Sequence, residues 1–466
     1  MLTSFNKKNR LVLDKKNIKS YYNVRFDKDN KHICDAPFKS LLFIPTGEIM
    51  VCHYNRGYKL GEYPVNSIKE VWFGEKLDRL RQQIIKNDFS SGCNQCYQDL
   101  INNNFNALGA RKYDLIPASE NGFPALMEFQ LSNKCNLECI MCSGEYSSGI
   151  RTRRENETNY TSPYDNNFVD QLNLFLPYLK KAYFTGGEPF IIPIYRKIWQ
   201  NISELNPLIE INISTNAMLI DDEIKAIIEK GNFNFTVSID SLNPAHYESI
   251  RKNAKFSQVI ENINYLHEYS LRSNKVFSVK FIVIKQNIKD IKNLFNHFNE
   301  QNIQLFPKIV DLPYKYSLYS LPAKELSAII SDMEDIEFKN DSFMQKQNLL
   351  RFTDMLSQLK LWVPEISRRE KDKFLSKASK EELQSHLKHN LKEYILTDTV
   401  LDEDYKKQLS DEIDLFFNKI DTFVTDETML RKACYAFCVQ KPGLIVGEFL
   451  RGHTDKLKAR FKEEMI

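Results

Sequence analysis

The 466 residues contain no apolar run near the roughly 18 that a membrane-spanning helix needs, so no membrane partner is expected. An excess of charge is missing too. Lys and Arg number 64 against 61 Asp and Glu, and the resulting +3 excludes a strong field for nucleic acid or anionic lipid. The first sixteen residues carry Lys and Arg but no apolar stretch of signal-peptide length, which makes the cytoplasm the expected location. No repeat recurs at solenoid period. Disorder as the main state is excluded by 42% hydrophobic beside 27% charged residues, and the length suggests about three domains.

What the sequence does contain is cysteine in an uneven distribution. Nine cysteines, an odd number without a secretory signal, argue against a disulfide framework. Seven fall into tight groups: Cys93 and Cys96; Cys135, Cys139 and Cys142; Cys434 and Cys438. Reduced thiols at such spacings read as metal or cluster ligands. Cys135-x3-Cys139-x2-Cys142 sets three soft ligands on one short loop, able to hold three irons of a 4Fe–4S cube and leave the fourth iron open. A structural zinc site would want a fourth ligand nearby, and no His occurs between His53 and His246.

Strand-like runs at 125–131, 181–185, 208–214, 233–239, 275–285 and 303–310 alternate with helical patterns such as 168–179, 195–205, 221–230 and 288–298. Six strands alternating with helices imply an α/β fold with a parallel sheet, open or curled into a partial barrel. Chemistry in such folds gathers at the C-terminal strand ends. The polar motifs lie there: Thr185-Gly186-Gly187-Glu188-Pro189 after the second strand, Ser214-Thr215-Asn216 at the third, Ser238-Ile239-Asp240-Ser241 at the fourth. Paired glycines let backbone approach a ligand closely. On the fourth strand Phe233, Phe235, Val237 and Ile239 alternate with Asn234, Thr236, Ser238 and Asp240, one face for the core and one for a polar ligand. Each polar residue has a plainer reading as a helix cap.

The run Cys135-Asn136-Leu137-Glu138-Cys139-Ile140-Met141-Cys142, followed by Gly186–Pro189 and then Ser238-Ile239-Asp240, resembles the radical S-adenosylmethionine (radical SAM) superfamily in order and spacing. The resemblance implies a partial (β/α)6 barrel over 118–312, a 4Fe–4S cluster on Cys135, Cys139 and Cys142, and SAM chelating the open iron. It also implies that the turn of Gly186, Gly187, Glu188 and Pro189 receives the SAM amino group. Ser214, Asn216, Ser238 and Asp240 would then lie at the SAM site, and Arg251 would pair with the SAM carboxylate, a contact suited to a bidentate guanidinium. Met141 stands where relatives often place an aromatic against adenine, and a thioether can pack on a purine.

Cys34, Cys52, Cys93 and Cys96 resemble the opening of a SPASM/Twitch auxiliary-cluster domain, here preceding the barrel as a small α+β unit over 34–117. No cysteine lies between Cys96 and Cys135, so the one-cluster Twitch form is expected: an auxiliary 4Fe–4S cluster on those four thiols, with zinc as the alternative. Residues 1–33 read as a polar extension, and 313–466 as a C-terminal helical domain rich in Lys and Glu. Cys434 and Cys438 share one helix face and have three readings: core thiols, further cluster ligands, or a hydrogen-atom donor. Arg151, Arg153 and Arg154 are read as a solvated run or a contact for an anionic substrate, and Lys280 as facing either the barrel or solvent.

The family resemblance implies an enzyme that cleaves SAM to a 5′-deoxyadenosyl radical and abstracts hydrogen from substrate carbon, fed by a donor such as flavodoxin or ferredoxin. The leading expectation is an oxidoreductase-type modification of a ribosomally made peptide, although no winged leader-binding segment is evident. Alternatives are dehydrogenation of a small polar alcohol or sugar, epimerisation with Cys434 or Cys438 returning hydrogen, and a non-enzymatic cluster or zinc scaffold.

Overall fold

The computed structural model describes residues 11–25, 32–55, 57–105, 107–117, 120–397, 403–420, 422, 426–450 and 454–465. Its centre is one sheet of nine strands: β1 (Ser40–Phe43), β2 (Glu48–Met50), β3 (Gly61–Glu62), β4 (Leu126–Phe129), β5 (Lys181–Phe184), β6 (Glu210–Thr215), β7 (Phe233–Ser238), β8 (Phe277–Val283) and β9 (Gln304–Ile309). Their spatial order is β3-β2-β1-β4-β5-β6-β7-β8-β9. β4 to β9 are parallel neighbours, which matches the six alternating strands read from the sequence.

Alternation along these strands sorts the two faces. On β5 to β8 one set, including Ala182, Phe184, Ile211, Ile213, Phe235, Val237, Val279 and Phe281, is fully buried. Helices such as Pro193–Leu205 and Phe256–Arg272 bury Trp199, Ile202, Val259 and Leu266 in the same core. The other set, Tyr183, Asn212, Ser214, Thr236, Ser238 and Lys280, is half-buried. The inner face is therefore polar and accessible, as a chamber for a polar ligand requires.

The N-terminal part does not stand apart. β1 runs parallel to β4 and antiparallel to β2, so the hairpin extends the barrel sheet across the boundary expected at 117/118. Residues from Leu11 to Ile366 share one hydrophobic core. Of the extension expected over 1–33, residues 1–10 and 26–31 lie outside the described residues, while 11–25 are packed on the core. Helix Lys15–Val24 is started by Asp14, whose side chain accepts from Asn17 N, and Tyr21 is fully buried. The Tyr21 hydroxyl donates to Asp114 at 3.1 Å, and Arg25 pairs with Asp114 at 2.6 Å. Three polar-looking positions thus become one buried cluster, which a periodicity reading passes over.

The C-terminal helices divide. Ala323–Glu334 and Phe343–Glu370 pack on the barrel core beside β9. From Leu375 to Met465 a second core forms, built by helices including Lys380–Thr397, Glu403–Ile420, Glu427–Cys438 and Thr454–Met465. No described helix is long and apolar enough to cross a membrane.

Candidate functional site

The cysteine loop leaves the end of β4 and lies against the turn that ends β5. Tyr195, on helix Pro193–Leu205, ties the two strand ends: its hydroxyl accepts from Leu131 N at 2.9 Å and donates to Thr185 O at 2.9 Å. Gly187 N donates to Ser132 O and Glu188 N to Lys134 O, bringing the glycine turn against the backbone just before Cys135. A Cβ on Gly187 would stand 2.0 Å from Lys134 O, and Gly186 holds a φ of +111°. Both positions therefore require glycine.

Glu188 does not point out to a ligand. Its carboxylate is buried and accepts from Thr215 Oγ1 at 2.6 Å and Asn216 N at 2.7 Å, joining the ends of β5 and β6. Burial pushes its carboxyl up to about 7, with the hydrogen bonds opposing. It also caps the short turn Pro189–Ile191 by accepting from Phe190 N. Asn216 Nδ2 lies 3.0 Å from Asn136 Oδ1 and 3.9 Å from the Cys135 sulfur. Ser214 and Ser238 are half-buried on the inner face.

Arg251 follows helix Pro244–Ile250 and is nearly buried beside the loop. Its Nε lies 2.8 Å from Asp240 Oδ2 and its Nη1 3.8 Å from the Cys139 sulfur. Asp240 is fully buried and also accepts from Ile282 N at 2.7 Å. Asp240 therefore orients Arg251 from behind instead of facing a ligand. Burial pushes the Cys139 thiol up to about 12, while Arg251 favours the thiolate.

Sequence reading missed what holds the loop from its other side. Arg154 Nη1 and Nη2 donate to the carbonyls of Cys139 and Ile140 at 3.0 and 3.2 Å. Arg460, near the end of the chain, donates to Cys142 O at 3.1 Å and Met141 O at 3.2 Å. Of the arginine run, Arg153 pairs with Glu138, and Arg151 donates to Thr158 O, so the three serve the loop's surroundings. Met141 is buried.

The four N-terminal cysteines come together. Cys34, Cys52, Cys93 and Cys96 line one pocket with Ala36, Val51, Phe89 and Ala110. Cys93 ends the loop before helix Asn94–Ile101, whose first turn carries Cys96, while Cys52 follows β2. Asn55 Nδ2 donates to the Cys93 sulfur at 3.2 Å. Burial pushes Cys52 up to about 11 and Cys96 up to about 12. Four thiols around a mostly apolar pocket are a donor set that fits an iron–sulfur cluster.

Glu128 of β4 is buried and hydrogen-bonded by the Tyr113 hydroxyl at 3.1 Å. His53, next to Cys52, lies 3.1 Å from it, and Lys112 pairs with it as well. Burial opposes its charge, yet the His53 hydrogen bond and Lys112 hold the carboxyl down to about 2. Across the chamber Lys280 shares a register with Ser238, and Lys308 with Ile282. Cys434 and Cys438 are placed elsewhere. Cys434 is fully buried in the second core, and Cys438 donates to Leu383 O at 3.3 Å within it. They read as core thiols, and neither lines the four-cysteine pocket.

Comparison with known proteins agrees with both cysteine groups. Residues 129–298 match the radical SAM superfamily, and residues 34–97 match an iron–sulfur cluster-binding (SPASM) domain. Residues 129–298 are a radical SAM domain. The chain's SPASM domain precedes the radical SAM domain, and its cofactors are SAM and 4Fe–4S clusters. The GTP 3′,8-cyclase of Clostridium botulinum strain Hall is 27% identical over 132 residues, 28% of this chain and 40% of that protein. The probable GTP 3′,8-cyclase of Methanocaldococcus jannaschii is 27% identical over 168 residues, 36% of this chain and 53% of that one. The chain thus spans about half or less of these relatives' length. Among solved structures, native anSMEcpe with bound AdoMet is similar at TM-score 0.35 and 19% identity, over 45% of this chain and 59% of that one. Streptococcus suis SuiB bound to S-adenosylmethionine follows at TM-score 0.34 and 17% identity, over 57% and 59%.

Proposed function

We propose that this chain is a radical SAM enzyme with an auxiliary cluster and that it oxidatively modifies a ribosomally made peptide. One observation carries the enzyme reading: seven cysteines form two separate groups on one sheet, three on the loop after β4 and four around the pocket beside β2. Cys135, Cys139 and Cys142 would hold the SAM-site cluster, and Cys34, Cys52, Cys93 and Cys96 the auxiliary one. When bound, these cofactors supply a 5′-deoxyadenosyl radical that takes hydrogen from an unactivated carbon, with a second cluster available to accept the electron left behind.

The residues of the chain then have distinct tasks. Gly186 and Gly187 bring backbone close to the loop, Glu188 keeps the ends of β5 and β6 together, and Pro189 starts the turn beyond. Asn216, Ser214 and Ser238 offer polar groups to SAM, Met141 offers it a thioether, and Arg251, oriented by Asp240, faces the loop with its charge. The polar inner face with Lys280 receives the substrate and the helices outside exclude water. Dehydrogenation of a small polar alcohol or sugar is a second reading, favoured by the same run of Asn212, Asn234, Thr236 and Ser238 along the chamber.

Anaerobic reconstitution tests the enzyme reading. About eight irons per chain are expected. Dithionite-driven formation of 5′-deoxyadenosine from SAM should be lost in Cys139→Ala. Iron without SAM cleavage would overturn it. Incubation with a candidate precursor peptide should give a product lighter by two hydrogens, and an unchanged mass would remove the peptide.

A further inference from the structure

The loop that carries Cys139 and Cys142 is held by two guanidiniums from distant parts of the chain. Arg154 donates to the carbonyls of Cys139 and Ile140, and Arg460 to those of Met141 and Cys142. Four consecutive carbonyls are thereby paired. Glu463 joins the two cations, taking Arg460 at 2.8 Å and pairing with Arg154. Arg460 and Glu463 are both nearly buried, so these are charge-assisted bonds shielded from water.

The helix that brings Arg460 there, Thr454–Met465, is doubly anchored. Leu457, Phe461 and Met465 sit in the second hydrophobic core. Glu464 accepts from the backbone N–H groups of Tyr314 and Lys315, just past β9, and Lys315 Nζ donates to Glu463 O at 2.8 Å. One face of the helix is therefore bound to the tail and the other to the barrel and the cysteine loop. Arg151 and Glu155 complete the local charges; Glu155 accepts from Gly144 N. Four cations, Arg151, Arg154, Lys315 and Arg460, thus stand with three carboxylates, Glu155, Glu463 and Glu464, behind the loop.

We propose that the C-terminal helix is part of the active site: Arg460, with Arg154, clamps the cysteine loop and raises the reduction potential of the cluster that loop holds. The proposal rests on the cluster reading of Cys135, Cys139 and Cys142. Its physical basis is that reduction adds negative charge, which a nearby buried cation stabilises, and that donors to the loop carbonyls fix where its sulfurs stand. Arg460 is a positioning residue, since it touches the loop backbone and no reacting atom.

Two measurements on full-length wild type, Arg460→Met and Arg460→Lys test this. The first is an EPR-monitored redox titration of the reconstituted protein, following the cluster signal that SAM perturbs. R460M should move that midpoint to more negative potential, while R460K, which keeps the charge, should stay with wild type. The second is amide hydrogen exchange on the iron-free chain. Exchange over residues 139–144 should rise about tenfold or more in both variants, because an ammonium cannot fork two carbonyls. An R460M midpoint equal to wild type overturns the electrostatic role, and unchanged exchange overturns the clamp. If wild type shows no SAM-responsive signal, the cluster reading fails, while the exchange result still decides the clamp.

Discussion

Lys280 sits on the inner face of β8 beside Ser238, with no ion-pair partner among the described residues. Burial pushes its pKa down, and Lys308 and Arg251 push the same way. An ammonium kept in such a place costs stability, which points to use by a ligand. Lys280→Met should therefore raise the thermal midpoint at pH 7, by roughly 1 kcal/mol of stability. The folded chain binds this proton more weakly than the unfolded one, so the wild type gains stability as pH rises. The gap to K280M should then shrink toward the free lysine value of about 10.4. Equal melting at pH 7 would show that Lys280 is already solvated. The sequence placed this lysine mid-strand, but alternation alone left both faces open. Register with Ser238 settles the face.

The element that most changes the picture of the molecule is helix Thr454–Met465. Its Glu464 is almost fully buried, and burial pushes the carboxyl up to about 7 against the donors at Tyr314 and Lys315. A carboxyl raised in the folded state lends stability that is complete below its unfolded value near 4.5. That stability is lost as pH climbs through about 7. Wild type should therefore lose up to about 3 kcal/mol across this window, and Glu464→Gln should not. Denaturant melts at pH 5 and pH 8 decide it; parallel losses in both proteins would remove Glu464 as the cause. The sequence of the tail reads as a helical domain rich in Lys and Glu. Nothing local to Arg460 or Glu464 marks them as buried, because their partners are supplied by the barrel.

At the scale of the whole molecule, two cores meet around one extended sheet, and the cysteines divide between them. Replacing Cys93 and Cys96 together by Ala should lower the iron content of the reconstituted protein by about four. Replacing Cys434 and Cys438 by Ala should leave the iron count unchanged and cost only stability, since both thiols belong to the second core. Iron lost from the second variant would return those residues to the cluster ligands.

The sequence by itself determined the six parallel strands and the grouping of Cys135, Cys139 and Cys142. Apolar alternation is a period-two signal, and three thiols within eight residues need no long-range fold to meet. The glycine pair was legible for the same reason: its constraint is the backbone of its own turn. Tertiary structure alone decided that the N-terminal hairpin continues the barrel sheet and that Tyr21 and Arg25 are buried on Asp114. It also decided that Cys434 and Cys438 are core thiols, and that Arg460 meets Met141 across 319 residues of chain. These outcomes depend on which surfaces dock. Docking is a sum of burial and charge pairing between segments far apart in sequence, and no window of adjacent residues carries that sum.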